Sequence, residues 1–179
     1  ACLALGTYGA ISLTIFPAFE EFEADATMEA IVRVERVMDA DRLTFETMLV
    51  EYAHWNDMRN FALGKRPEFV EENLNPDYWR AIGVDYIFVF DEQGEVVWST
   101  DTAMGELRPV NPHELLEAPL TDKHPLFSTP PGTDGVSGMI RSHAGPLLIA
   151  AAPILTTYGE GPPVGTMVIA RKIRASMIE

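Results

Sequence analysis

The spacing of hydrophobic and polar positions changes period part-way along this chain. From Phe19 to about Trp55 there is no Gly and no Pro, and the second half of that stretch repeats in sevens. Ile31, Met38, Phe45 and Tyr52 take one position of the repeat. Val34, Met48 and Trp55 take the other, with Asp41 as a polar break. This pattern predicts a long helix over 17–55 with Pro17 at its start. At 1.5 Å per residue such a helix extends about 50 Å, more than a small domain requires. The stripe either packs wholly on its own domain or continues onto a second copy, and the excess length points to a homodimer through this helix. Beyond Gly64, Pro67 opens a short helix to Asn73. Asn75 is placed to cap another over Pro76 to Ile82, which Gly83 closes.

The period then drops to two. Val84, Tyr86, Phe88 and Phe90 alternate with Asp85, Ile87 and Val89, so this strand has two largely apolar faces and belongs inside a sheet covered on both sides. Asp91-Glu92-Gln93-Gly94 is a tight-turn signal, and Glu95 to Ser99 returns as a second strand. Thr100 to Thr133 is rich in turn residues and reads as a crossover with a short helix near Pro112 to Glu117. Three further strands follow, Val136 to Ser142, Pro146 to Leu155 and Val164 to Arg171. The predicted fold class is α+β. A long N-terminal helix and short flanking helices lie on a five-stranded antiparallel sheet spanning 84–172.

Composition narrows the function classes. The chain has 179 residues and a net charge of -14, with 27 acids against 13 bases. So acidic a surface repels nucleic acid and anionic lipid, which excludes both as primary ligands. The single cysteine, Cys2, leaves no internal disulfide. Ala1 to Phe16 carries no charge. It is shorter than the roughly 20 apolar residues that span a bilayer. The acids Glu20, Glu21, Glu23, Asp25 and Glu29 precede the first base, Arg33, as expected on the outer side of a membrane. Residues 1–16 therefore read as the remnant of a transmembrane helix. A signal-peptide core and a plain buried helix are the alternatives. Residues 17–179 read as one extracytoplasmic domain at the cell inner membrane.

Catalytic signatures are missing. There is no phosphate-binding loop, dinucleotide fingerprint, zinc-binding helix pair or nucleophile elbow. His54 and Asp57 share a helix face at best, so no metal and no cofactor is expected. Gly135-Val136-Ser137-Gly138 marks a strand start with close backbone approach. The informative cluster is His54 to Phe61, which crowds aromatic, amide, carboxylate and guanidinium groups at the end of the long helix. Such a mixture serves either to cap the helix end or to wall a pocket for a small polar ligand.

Trp55-Asn56-Asp57, followed by Phe61, resembles the tryptophan-aspartate-aspartate signature of CHASE sensor domains of the fourth type. Those are extracellular modules of the Cache-like, PAS-like superfamily. Phe19 to Glu23, Phe69 to Leu74, Gly83 to Gly94 with Val96-Val97, and Val136-Ser137-Gly138 also resemble family segments in order. So do Pro146 to Leu155 and Gly161-Pro162 through Gly165-Thr166 to Arg171. Asn56 departs from the family's aspartate and exchanges an anionic acceptor for a neutral group. The resemblance implies a sensor held between two membrane helices. Such sensors control diguanylate cyclase, cyclic-di-GMP phosphodiesterase or histidine kinase modules. It also places Arg171, Lys172 and Arg174 just before the second membrane helix.

The expected function is binding of a small molecule between the sheet and the short helices. Tyr52, Trp55, Tyr86, Phe88 and Trp98 are the expected walls. Asn56, Asp57, Arg59, Asp85 and Arg141 are the expected polar contacts. The alternative is a protein-binding or dimerisation module without a small ligand. Catalysis by the chain itself is not expected, because no pair of perturbed titratable groups is nominated.

Overall fold

The computed structural model describes residues 42–103, 106–117, 124–127 and 134–174. The expected membrane remnant over 1–16 and the first part of the long helix lie outside the described residues. Helix α1 runs through 42–53. Helices α2 (Asn56–Ala62), α3 (Phe69–Asn73) and α4 (Pro76–Ala81) follow, then strands β1 (Tyr86–Asp91) and β2 (Val96–Asp101). The crossover carries α5 (Pro112–Leu115) and a 3-10 turn at Pro125–Phe127, and the chain closes with β3 (Val136–Ser142), β4 (Gly145–Pro153) and β5 (Gly165–Lys172).

The five strands form one antiparallel sheet in the order β2-β1-β5-β4-β3. The α+β prediction therefore holds, with β5 in the middle. Local chemistry explains the boundaries. The Asn75 side chain accepts from the backbone of Asp77 and Tyr78, and Pro76 has no amide to satisfy. Asn111 caps α5 in the same way through His113. In the β1–β2 turn the Asp91 carboxylate accepts from the amides of Gln93 and Glu95, and Gly94 takes a φ of 81°.

Each face of the sheet buries its own core. Ile87, Val89, Leu148, Ala150, Met167 and Ile169 meet helices α1 to α4 through Phe45, Leu49, Met58, Phe69 and Trp79. Tyr86, Phe88, Phe90, Leu147, Ile149 and Val168 meet the crossover through Leu116 and Leu126. Two expectations are corrected here. Val84 precedes β1 and joins the helix-side core, not the face of Tyr86. On α1 the fully buried positions are Phe45, Leu49 and Ala53, and the heptad positions Met48 and Tyr52 pack half-buried against the same core. The helix packs flat on a sheet, and it ends at 53, so Trp55 lies beyond it.

Candidate functional site

The predicted pocket residues are not gathered into one place. Strand alternation sends neighbouring side chains to opposite faces, which puts Tyr86 and Phe88 under the crossover and Tyr52, Trp55 and Trp98 on the helix side. Exposed Arg141 stands on the β3 edge, and Asp85 lies at the other end of the sheet from Asn56. Between sheet and helices, the aromatic side chains pack on one another. Trp55 meets Phe69 edge-on at 5.7 Å and Tyr52 at 6.3 Å, while Tyr52 lies 4.6 Å from Trp79. Phe61 stacks on Phe69 and meets Trp98 edge-on. Burial, then the neighbouring Tyr78 with its hydrogen bond, raises the Tyr52 hydroxyl above its ordinary pKa.

The Trp55-Asn56-Asp57 turn acts as a joint. Trp55 is extended, at φ -112° and ψ 129°, and α2 restarts after it. The Asn56 amide donates to Thr157 Oγ1, and the Thr157 amide donates back to Asn56 Oδ1, both at 3.2 Å. Leu155 N–H donates to the carbonyl of Ala53 at the end of α1. The β4–β5 loop thereby takes up the orphan groups of two helix termini. Asp57 pairs with Arg66, which also pairs with Glu72. Arg59 Nε and His54 Nε2 are buried without a partner among the described residues.

A second joint lies at the opposite end. Arg171 on β5 holds its guanidinium 4.7 Å over the Phe45 ring of α1. It also donates from Nε to Gly83 O and from Nη2 to Ile82 O, each at 2.9 Å. Those carbonyls close α4, so a cation completes that helix terminus. Buried Asp85 accepts from the Lys172 amide at 2.7 Å and from Arg174 Nη2 at 2.6 Å. Burial alone would lower the Lys172 ammonium. The hydrogen bond to Tyr86, with the charges of Asp101 and Asp85, outweighs it and leaves the pKa raised. Sequence reasoning read Arg171, Lys172 and Arg174 only as a basic flank. Asp85 stands 87 and 89 positions from its two partners, beyond any local signal.

The sheet's other face carries a cleft of about 270 Å³ beside the 3-10 turn. His124 and Leu126 line it on the crossover side, and Val136, Gly138, Ile140 and Ile149 on the strand side. Gly138 was legible only as a site of close backbone approach, and His124 carried no signal. No group of three or more metal-ligating side chains occurs among the described residues.

A CHASE4 domain model matches residues 37–179. The chain belongs to the CHASE4 domain family. CHASE4 domains are extracellular sensor modules. No helix among the described residues of this one is long and apolar enough to cross a membrane. The methanogenesis regulatory histidine kinase FilI of Methanothrix harundinacea (strain 6Ac) is 30% identical over 131 residues, 72% of this chain. The chain spans 14% of that kinase's length. A solved sensor region of a sensor histidine kinase aligns over 49% of this chain and 38% of its own, at 20% identity and a TM-score of 0.33.

Proposed function

We propose that this CHASE4 domain is the extracytoplasmic sensing part of a membrane-bound signalling protein, and that it performs no catalysis itself. The output would be a histidine kinase or a cyclic-di-GMP cyclase or phosphodiesterase elsewhere in the protein. One observation carries the reading. Helix α1 and strand β5 meet at one end of the sheet, where Arg171 lies over the Phe45 ring of α1 and donates to the carbonyls that close α4. A small ligand that favours one packing of the sheet over another would bias that joint, and with it the chain segments leading to a membrane. Family membership and the kinase relative support the same direction.

A thermal-shift screen of amino acids, organic acids, nucleobases and small uncharged aromatics tests the binding step. A true ligand stabilises the fold by about 2.7 kcal/mol at a hundredfold excess over its Kd. Hydrogen exchange at the Lys172 and Leu155 amides tests the transmission step, since these sit at the two joints. A screen without hits sinks the sensing role; a hit that leaves both amides unchanged sinks the transmission route. A second reading, a self-associating module, is favoured by Leu43 at 66% and Met139 at 67% exposure. The Glu46–Ser137 hydrogen bond links the elements that carry them, α1 and β3. Sedimentation of Leu43→Glu against the unchanged chain decides it, and an unaltered mass excludes a dimer through this face.

A further inference from the structure

Gly138 stands inside β3, where a glycine weakens a strand by roughly 0.5–1 kcal/mol against alanine. Nothing in its backbone requires glycine. Its φ is not in the left-handed region, and an added Cβ would meet no atom of the described residues within 4 Å. What the missing side chain does is leave space. Gly138 pairs with Ile149 across β3 and β4. Ile149, with the flanking Val136 and Ile140, belongs to the crossover-side core. Open space above Gly138 on that face is part of the cleft of about 270 Å³.

The lining sets the chemistry. Among the described residues its lining holds no Asp, Glu, Lys or Arg, so that lining presents no carboxylate, ammonium or guanidinium to offset the desolvation of a charged ligand. His124 supplies a polar handle on the crossover side, while Ser137, which also lines the cleft, donates its hydroxyl to Glu46. The amide of Leu126 donates to His124 Nδ1 at 3.3 Å. Neutral imidazole then carries its proton on Nε2, which makes no hydrogen bond among the described residues. Burial lowers the His124 pKa, which favours that neutral form.

We propose that this cleft binds an uncharged, mainly apolar small molecule with one acceptor placed for His124 Nε2–H. The inference rests on the sensing role proposed above and names the ligand class for it. The test compares acetophenone, benzamide, 4-methylphenol and ethylbenzene with succinate, L-glutamate and putrescine. Thermal shift is read on the unchanged chain, Gly138→Leu and His124→Phe, and methyl NMR shifts are read at Ile140 and Ile149 of the unchanged chain. The expected result is stabilisation by the neutral probes, with shifts at both isoleucines. Binding falls at least tenfold in Gly138→Leu. In His124→Phe it weakens about tenfold for acetophenone, the scale of one lost hydrogen bond, but not for ethylbenzene. The methyl shifts keep the proposal testable if Gly138→Leu does not fold. Stabilisation by the charged probes alone overturns the ligand class and leaves the sensing role standing. Neutral probes that act equally on Gly138→Leu, or leave both isoleucines unmoved, overturn the site. If no probe of either kind binds, this proposal falls, and the sensing role falls only if the wider screen is also empty.

Discussion

Replacing Asp85 with alanine tests whether the chain's exit from the sheet is held by one buried carboxylate. Asp85 is 5% exposed and accepts two hydrogen bonds, from the Lys172 amide at 2.7 Å and from Arg174 Nη2 at 2.6 Å. The substitution removes both acceptors and leaves the Lys172 N–H without a partner. An orphaned donor of this kind costs about 1–3 kcal/mol, and the part-buried setting here puts it in the lower half of that range. The Arg174 pair adds less. The Arg174 side chain is 52% exposed, so solvent screening holds its share to about 0.2–1 kcal/mol. Together the loss is about 2 kcal/mol. With a urea m-value of ~2 kcal/mol/M, the denaturation midpoint falls by about 1 M. Two companions separate the contributions. Arg174→Ala loses only the screened pair, under about 1 kcal/mol, and Asp85→Asn keeps an oxygen for the Lys172 amide and lies between. Hydrogen exchange at Lys172 accelerates in Asp85→Ala and not in Arg174→Ala. If Asp85→Ala and Arg174→Ala shift the midpoint equally, the carboxylate does not hold the strand end and the reasoning fails.

Other expectations rest on single contacts. Trp79 is fully buried against Tyr52 and Tyr78, so Trp79→Ala costs about 3–5 kcal/mol in chemical denaturation and Trp79→Phe distinctly less. A Cβ at Gly165 would clash with the backbone carbonyl oxygen of Phe90. Gly165→Ala therefore forces the β1–β5 pairing apart and lowers Tm, with a cost of about 1–3 kcal/mol; an unchanged Tm contradicts the close approach. The His124 pKa is lowered by burial, so between its folded and unfolded values the unfolded chain binds more protons. Stability contributed at this site is intact above about pH 6.5 and declines as pH falls below it. The stability difference between the unchanged chain and His124→Gln, measured from pH 8 to pH 5, should shrink or reverse in that direction only.

The sheet was legible because its strands are written in period two with turn residues between them; β3 matches its predicted span residue for residue. The helix caps at Asn75 and Asn111 were equally local, although only the first was named from sequence. The packing face of α1 was not legible. Positions 45, 49 and 53 and positions 45, 48, 52 and 55 fit nearly the same apolar stripe, and only the partner decides between them. Against a sheet, small Ala53 lets the β4–β5 loop come close enough for Leu155 N–H to reach its carbonyl. The residues expected to line one pocket divide between the two faces for a related reason. Alternation already set Tyr86 and Phe88 on the face opposite Ile87 and Val89, but both faces are apolar, so nothing local said which one the helices cover. The signature turn was found for its chemistry, and its geometry changes what that chemistry means. Asn56 uses its backbone amide and Oδ1 to hold Thr157. An aspartate supplies the same two atoms. Asparagine at this position therefore leaves the joint intact, and the turn serves to tie the α1–α2 connection to the β4–β5 loop.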